Sequence, residues 1–152
     1  MIKAFYFLAA FVVMGYAADP VATFHSVYLK YQANKPKDMT DSAYIPSSQM
    51  GHSFRARVTY AGEIRPISGD NRQCLIFLEG MLGLRNIFRA YKTEMHIVDS
   101  DSMDYWVPVL EQRVNAIRRK CQGRCCALEL QVIWFLNFHT RPFAVITDFK
   151  LK

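Results

Sequence analysis

The sequence predicts an α+β fold: a mostly antiparallel sheet, with hairpins near 54–66 and 128–151, packed by two disulfide-clipped amphipathic helices at about 73–92 and 105–121. Three observations predict it. The tail alternates apolar and polar residues over two long runs, the period of strands. The middle of the chain steps its apolar residues by three and four, the period of helices. Cys74, Cys121, Cys125 and Cys126 stand at the two ends of that helical stretch.

The chain opens with Met1-Ile2-Lys3, an apolar run from Ala4 to Met14, and the small residues Gly15 and Ala17. This reads as a secretory signal, 1–17, cleaved after Ala17. The run is too short to span a bilayer, and with no second long apolar run no transmembrane anchor is expected. The remainder, 18–152, is expected to be a single secreted, extracellular domain. Hydrophobic residues at 51% and aromatics at 14% give it enough apolar material for a core, which excludes a disordered tail. The formal net charge of +6 makes it a basic protein.

From Val21 to Gln32, Val27, Leu29 and Tyr31 suit a strand, which the β-branched and aromatic content favours. Residues 33–53, with Pro36 and Pro46, read as a long polar loop. Phe54, Ala56, Val58 and Tyr60 alternate with Arg55, Arg57 and Thr59, the pattern of a half-buried strand. Ala61-Gly62 signals a turn into a short return strand, Glu63 to Pro66, held at a sheet edge by its proline.

Ser68-Gly69-Asp70 is placed to cap the first helix, whose stripe is Cys74, Phe77, Met81, Leu84, Phe88 and Tyr91. Gly80 and Gly83 inside it imply close backbone packing. Asp99 to Asp104 has carboxylates at alternate positions but lacks the glycine and distant glutamate of a calcium loop, so it reads as a solvated turn with Asp104 as the next N-cap. The second helix carries Val107, Leu110, Val114, Ile117 and Cys121 on one face and ends at Gly123. In the tail, Leu128, Leu130, Val132, Trp134, Leu136 and Phe138 form one face, and Phe143, Val145, Thr147, Phe149 and Leu151 follow after a turn at 139–142.

An even cysteine count in a secreted chain implies two disulfides. Neighbouring Cys125 and Cys126 would form a strained ring, which leaves 74–125 with 121–126, or 74–126 with 121–125. Either clips the first helix to the far end of the second, closing a loop worth about 4 kcal/mol in the chain-entropy account. A zinc site is disfavoured because no histidine lies near the cluster, and no cofactor is implied.

Catalytic motifs are absent: no nucleophile elbow, zincin helix, phosphate loop or dinucleotide fingerprint, and His25, His52, His96 and His139 are scattered. The chain therefore reads as a non-catalytic binding protein, acting by extracellular protein or receptor recognition. The densest charge, Arg113, Arg118, Arg119, Lys120 and Arg124, supports an alternative: a host-defence or matrix protein that binds anionic surfaces, a sulfated glycan or an anionic lipid. Nucleic acid is not an expected partner outside the cell. A further alternative is a carrier of small apolar ligands, with Phe77, Met81 and Trp134 lining its pocket.

Cys74, the trailing Cys125-Cys126 pair and Phe88-Arg89-Ala90-Tyr91 between them resemble the middle of the helical cytokines of the interleukin-ten family. That resemblance implies receptor binding. The chain departs from the family in its C-terminal hairpin, where helices are expected, and in lacking an N-terminal cysteine.

Overall fold

The computed structural model describes residues 20–34, 52–83, 90–138 and 141–152. They form a closed five-stranded barrel with three helices. In chain order the elements are α1 (Phe24–Asn34), β1 (His52–Pro66), α2 (Gly69–Leu82), β2 (Thr93–Asp99), β3 (Asp104–Val109), α3 (Glu111–Cys121), β4 (Cys126–Phe138) and β5 (Arg141–Leu151). Around the barrel the order is β1-β2-β3-β5-β4. This replaces the expected sheet packed by two clipped helices.

The tail hairpin is the largest piece of the wall. β4 and β5 pair antiparallel from Leu128 opposite Leu151 to Phe138 opposite Arg141. The pairing slips where Gln131 faces Asp148 but Val132 faces Ile146, so Thr147 is an extra residue in β5. Its buried hydroxyl donates to the Gln131 carbonyl at 3.3 Å. The bulge reverses the alternation, so Ala144 and Ile146 before it and Phe149 after it all join the inner cluster.

β1 is one long strand where a hairpin near 54–66 was expected. It pairs with β4 from His52 to Tyr60 and with β2 from Val58 to Pro66. At Ala61-Gly62 the register shifts but the strand continues. Gly62 sits at φ 91°, and a Cβ there would lie 3.4 Å from the Gly123 carbonyl oxygen. Glycine is thus used to bend a strand against a neighbouring turn, a signal shared with the hairpin turn that the sequence suggested.

The largest correction is at 105–121. Asp104–Val109 is a strand that pairs antiparallel with β2, and the helix begins only at Glu111. Val107 and Leu110 continue the helical spacing of Val114, Ile117 and Cys121 by coincidence across a strand–helix junction. Asp104 is therefore not an N-cap, and 99–104 is a tight hairpin turn: Ser102 N–H donates to Asp99 O and Asp99 N–H to Met103 O, each at 2.9 Å.

The helix expected at 73–92 spans Gly69–Leu82 and stops at Gly83, which is left-handed at φ 60°. Residues 84–89 lie outside the described residues, and Tyr91 and Lys92 already lead into β2. A Cβ built at Gly80 or Gly83 would meet no atom of the described residues beyond its own helix and chain neighbours within 4 Å, so close packing is not what they serve there. Ser68 precedes the helix without capping it through its side chain. The segment expected as a strand at 21–32 is α1. Thr23 and Ser26 cap it reciprocally: Ser26 N–H donates to Thr23 Oγ1 at 2.9 Å and Thr23 N–H to Ser26 Oγ at 3.1 Å. Pro20–Ala22 lies beside β1 in a short parallel bridge, Ala22 N–H to Arg55 O and Arg55 N–H to Pro20 O, both 2.9 Å. The expected loop at 33–53 lies outside the described residues except at its ends, which are helix and strand.

Two cores result. Inside the barrel lie Phe54, Ala56, Val58, Tyr60, Met95, Ile97, Leu128, Leu130, Val132 and Trp134, with Val114, Ile117 and Cys121 of α3 and Phe24 of α1. Phe24 meets Phe54 edge-on at 5.5 Å and stacks on Tyr105 at 5.2 Å. On the outer face, Cys74, Leu75 and Leu78 of α2 pack with Tyr91, Ile133, Phe135, Phe143 and Val145. The apolar residues that alternate with the inner face of β4 and β5 are thus covered by α2.

Cys121 and Cys126 form the one disulfide among the described residues. Cys74 is buried, Cys125 is exposed, and neither is bonded to the other. The expected clip between helices is replaced by a staple across five residues. So short a loop is worth about 2 kcal/mol in the chain-entropy account, half of what the long clip would supply. With two strands inside the 74–126 stretch, the likeness to helical cytokines does not extend to the fold. The signal segment, 1–17, lies outside the described residues. Among those described, no helix is long and apolar enough to cross a membrane.

Candidate recognition surface

The burial pattern of α3 sorts its charges. Val114, Ile117 and Cys121 turn inward, and that spacing drives Arg118, Arg119 and Lys120 outward in the last turn. Cations there sit at the negative end of the helix dipole, a favourable placement worth about 0.3–1 kcal/mol each at the surface. The chain then reverses sharply. Gln122 and Gly123 adopt φ 52° and 66°, Gly123 N–H donates to Arg118 O at 3.3 Å, and Arg124 N–H donates to Cys121 O at 2.9 Å. The disulfide ties the two ends of this turn at a Cα separation of 5.6 Å. Arg124 is exposed on it. Lys152 ends beside it, its N–H 3.4 Å from Ala127 O.

The structure divides the arginines of β1 and the five predicted anion-binding residues into two sets. Arg55 and Arg57 share Glu129, at 3.3 and 3.7 Å. Arg65 meets Glu94 at 2.6 Å. Arg113 lies 3.1 Å from Asp148 Oδ1 without the angle of a hydrogen bond, so of the five predicted anion-binding residues it alone faces a carboxylate. Arg118, Arg119, Lys120 and Arg124 are exposed and make no ion pair with any described residue. Lys120 instead leans over the Phe149 ring at 5.3 Å. Beneath this end, Tyr60 is buried, and burial pushes its hydroxyl above the ordinary 10.0, opposed by Arg118 and reinforced by Glu63 and Cys125.

A second polar cluster covers the outer face of β1, β2 and β3. The Glu94 carboxylate, 1% exposed, accepts from Arg65 Nε at 2.6 Å, Ser68 Oγ at 3.1 Å and Asn71 Nδ2 at 2.7 Å. Asn71 also reaches the Trp106 carbonyl at 2.8 Å. The Arg65 guanidinium lies 3.6 Å from the Trp106 ring centre, and His96 stacks on the same indole at 4.8 Å. His96 Nε2 is 3.0 Å from Asp104, and its Nδ1 is 3.6 Å from Glu63. Glu94 and Trp106 are not marked out by any motif in the sequence, and His96 stands there only as one of four scattered histidines. The alternation of Glu94 and His96 with Met95 and Ile97 was the available signal for a strand that presents them outward.

Asp99 forms a third polar point. Its carboxylate accepts Phe24 N–H at 2.6 Å and Ser100 N–H at 2.7 Å, tying α1 to the β2–β3 turn. Burial, as the largest influence, raises its pKa, and Asp101 adds to the rise against these two donors. Tyr105 beside it is pushed up to about 12 by burial and then by Asp99 and Asp101.

The residues proposed to line an apolar pocket are not brought together. Trp134 belongs to the inner cluster, Phe77 is exposed on α2 outside the barrel, and the side chain of Met81 lies outside the described residues. Among the described residues, no group of three or more His, Cys, Asp or Glu is placed to hold a metal ion. No family model, curated protein or solved structure matches this chain.

Proposed function

We propose that this chain is an exported, non-catalytic binding protein that recognises an anionic extracellular partner through the cationic end of its barrel. One observation carries the reading. Arg55, Arg57 and Arg65 on β1 and Arg113 in the first turn of α3 face carboxylates, while Arg118, Arg119, Lys120 and Arg124 meet none among the described residues. Unneutralised cations of one sign raise the local concentration of anions and speed their capture. The turn beneath them supports the reading, because the Cys121–Cys126 disulfide ties its two ends and fixes the backbone that carries Arg124 before a partner arrives. Export is supported by the disulfide itself, a bond that persists in oxidising compartments, and by the apolar character of 4–14.

The test is retention on immobilised heparin and on an acidic protein such as a poly-glutamate carrier. The expected result is retention on at least one, lost at raised ionic strength, and lost at low salt by a variant carrying Arg118→Glu, Arg119→Glu and Arg124→Glu. Passage of the wild-type chain through both columns at low salt would sink the reading. Heparin retention alone favours a sulfated glycan; retention on the acidic carrier alone favours an acidic protein face.

A further inference from the structure

We propose that the outer core, between α2 and the barrel wall, is a binding site for a neutral lipophilic small molecule with one hydrogen-bond acceptor, an aliphatic ketone or ester, and that Tyr91 holds the acceptor. The site is separate from the cationic end. It is marked by a hydroxyl out of place. Tyr91 is 1% exposed, and its hydroxyl oxygen is buried with no hydrogen-bond partner among the described residues. The ring lies among Leu75 and Leu78 of α2 and Ile133, Phe135, Phe143 and Val145 of β4 and β5. A hydroxyl taken out of water with nothing in exchange is a standing cost to the fold. Phenylalanine would fill the same space without that cost, so packing does not account for the oxygen, and a bound acceptor does.

The surroundings select the ligand. The side chains of this cluster are hydrocarbon apart from the Cys74 thiol and the Tyr91 hydroxyl, and none of them bears a charge. Burial alone pushes the Tyr91 hydroxyl well above its ordinary 10.0, with no charged group contributing, so it stays protonated and donates. A carboxylate or an amine brought here would lose its water and gain no counter-charge. A hydrocarbon body with one neutral oxygen keeps its apolar surface dry and gives the hydroxyl its partner.

The way in is under α2. The helix is tied to the barrel at its entry, where Ser68 Oγ and Asn71 Nδ2 donate to Glu94 at 3.1 and 2.7 Å and Asn71 donates to the Trp106 carbonyl at 2.8 Å. Further along, Leu75 and Leu78 meet the wall through apolar contacts, which part and re-form around a guest without stranding a polar group of their own. Ile76 and Phe77, 54% and 42% exposed on the same helix, offer an apolar landing beside that entrance.

The test uses the full chain and three probes of equal length: methyl octyl ketone, decane and decanoate. Each is read by displacement of the neutral dye phenylnaphthylamine and, should the dye not enter, by the rise of the urea midpoint at saturating probe. The ketone is expected to bind, and decanoate to bind at least about tenfold more weakly. Tyr91→Phe should weaken the ketone by about tenfold and leave decane within about twofold. Without probe, Tyr91→Phe should unfold at the same urea concentration as wild type or a higher one, because it loses an unpaired hydroxyl. No response to the ketone in either readout overturns the proposal, as does equal weakening of ketone and decane. A lower urea midpoint for Tyr91→Phe also overturns it, since the hydroxyl would then be paired within the protein already.

Discussion

Arg65 and Arg118 have the same side chain and opposite circumstances. Arg65 lies on a strand, lays its guanidinium over Trp106 and points Nε at a buried carboxylate 2.6 Å away. Arg118 projects from the last turn of a helix into solvent, with no carboxylate among the described residues to meet it. The first is part of what holds α2's entry onto the barrel, since the same Glu94 also takes Ser68 and Asn71. The second contributes little to the fold beyond its place at the helix dipole. The difference teaches where to look for stability and where for recognition: charge that is matched inside the molecule supports the fold, and charge left unmatched is available to a partner.

The contrast can be broken most forcefully at Glu94. Glu94→Ala removes the acceptor of three donors at once, and about 2–4 kcal/mol of stability should be lost in urea unfolding. The guanidinium of Arg65 is half exposed and can recover water, which keeps the loss below that of a fully buried pair. A loss under about 1 kcal/mol would mean that Glu94 is not the keystone of this face.

Asp99 sharpens the comparison, because it is a buried carboxylate satisfied by backbone N–H groups and not by a cation. Asp99→Ala should cost about 1–2 kcal/mol by uncapping the Phe24 end of α1. Its raised pKa also sets a pH dependence. Between the ordinary value of 3.8 and the raised one, the folded state holds more protons than the unfolded, so this group's contribution to stability falls as pH rises through that interval. Asp99→Asn should remove that slope, although its amide leaves one N–H facing a donor and lowers stability at every pH. Unfolding midpoints measured from pH 4 to pH 7 check the sign; a wild-type slope steeper in the opposite sense than that of Asp99→Asn would refute it.

The smallest effects test the comparison most finely. Arg113→Ala should cost under about 1 kcal/mol, as a partly exposed pair does, and Arg118→Ala should stay within about 0.5 kcal/mol of wild type. In heparin retention the order should reverse, with Arg118→Ala losing more than Arg113→Ala. Equal losses of retention would erase the distinction between matched and unmatched charge.

Much of the wall was legible in the sequence because strand alternation is local. Leu128 to Trp134 announced their shared face, and Phe54 to Tyr60 theirs. The lower half of α3 was legible for the same reason, with Val114, Ile117 and Cys121 inward. Closure was not, because it depends on which strands meet around the ring. The stretch Trp106-Val107-Pro108-Val109-Leu110 is apolar throughout, and such a run fits helix and buried strand alike. Pro108, which falls inside the helix expected at 105–121, stands opposite Glu94 in the sheet, on a strand that joins its other neighbour at a single point. Of the candidate surface, the cations could be counted from sequence. Which of them had carboxylate partners could not, because Glu129, Glu94 and Asp148 are brought to theirs by contacts between residues far apart in the chain.

That single point, Val109 beside Ile146, with Leu110 N–H on the Ile146 carbonyl at 2.9 Å, is where β3 and β5 complete the ring. Every other junction runs through at least six paired positions. The cylinder therefore has a zip fastened by one tooth, while helices rather than ladders hold the gap shut. Unfastening there would unroll the wall into an open sheet with β3 and β5 at its two margins and would spill Val114 and Ile117 from the interior, so the first crack in this molecule runs along its least-knitted line.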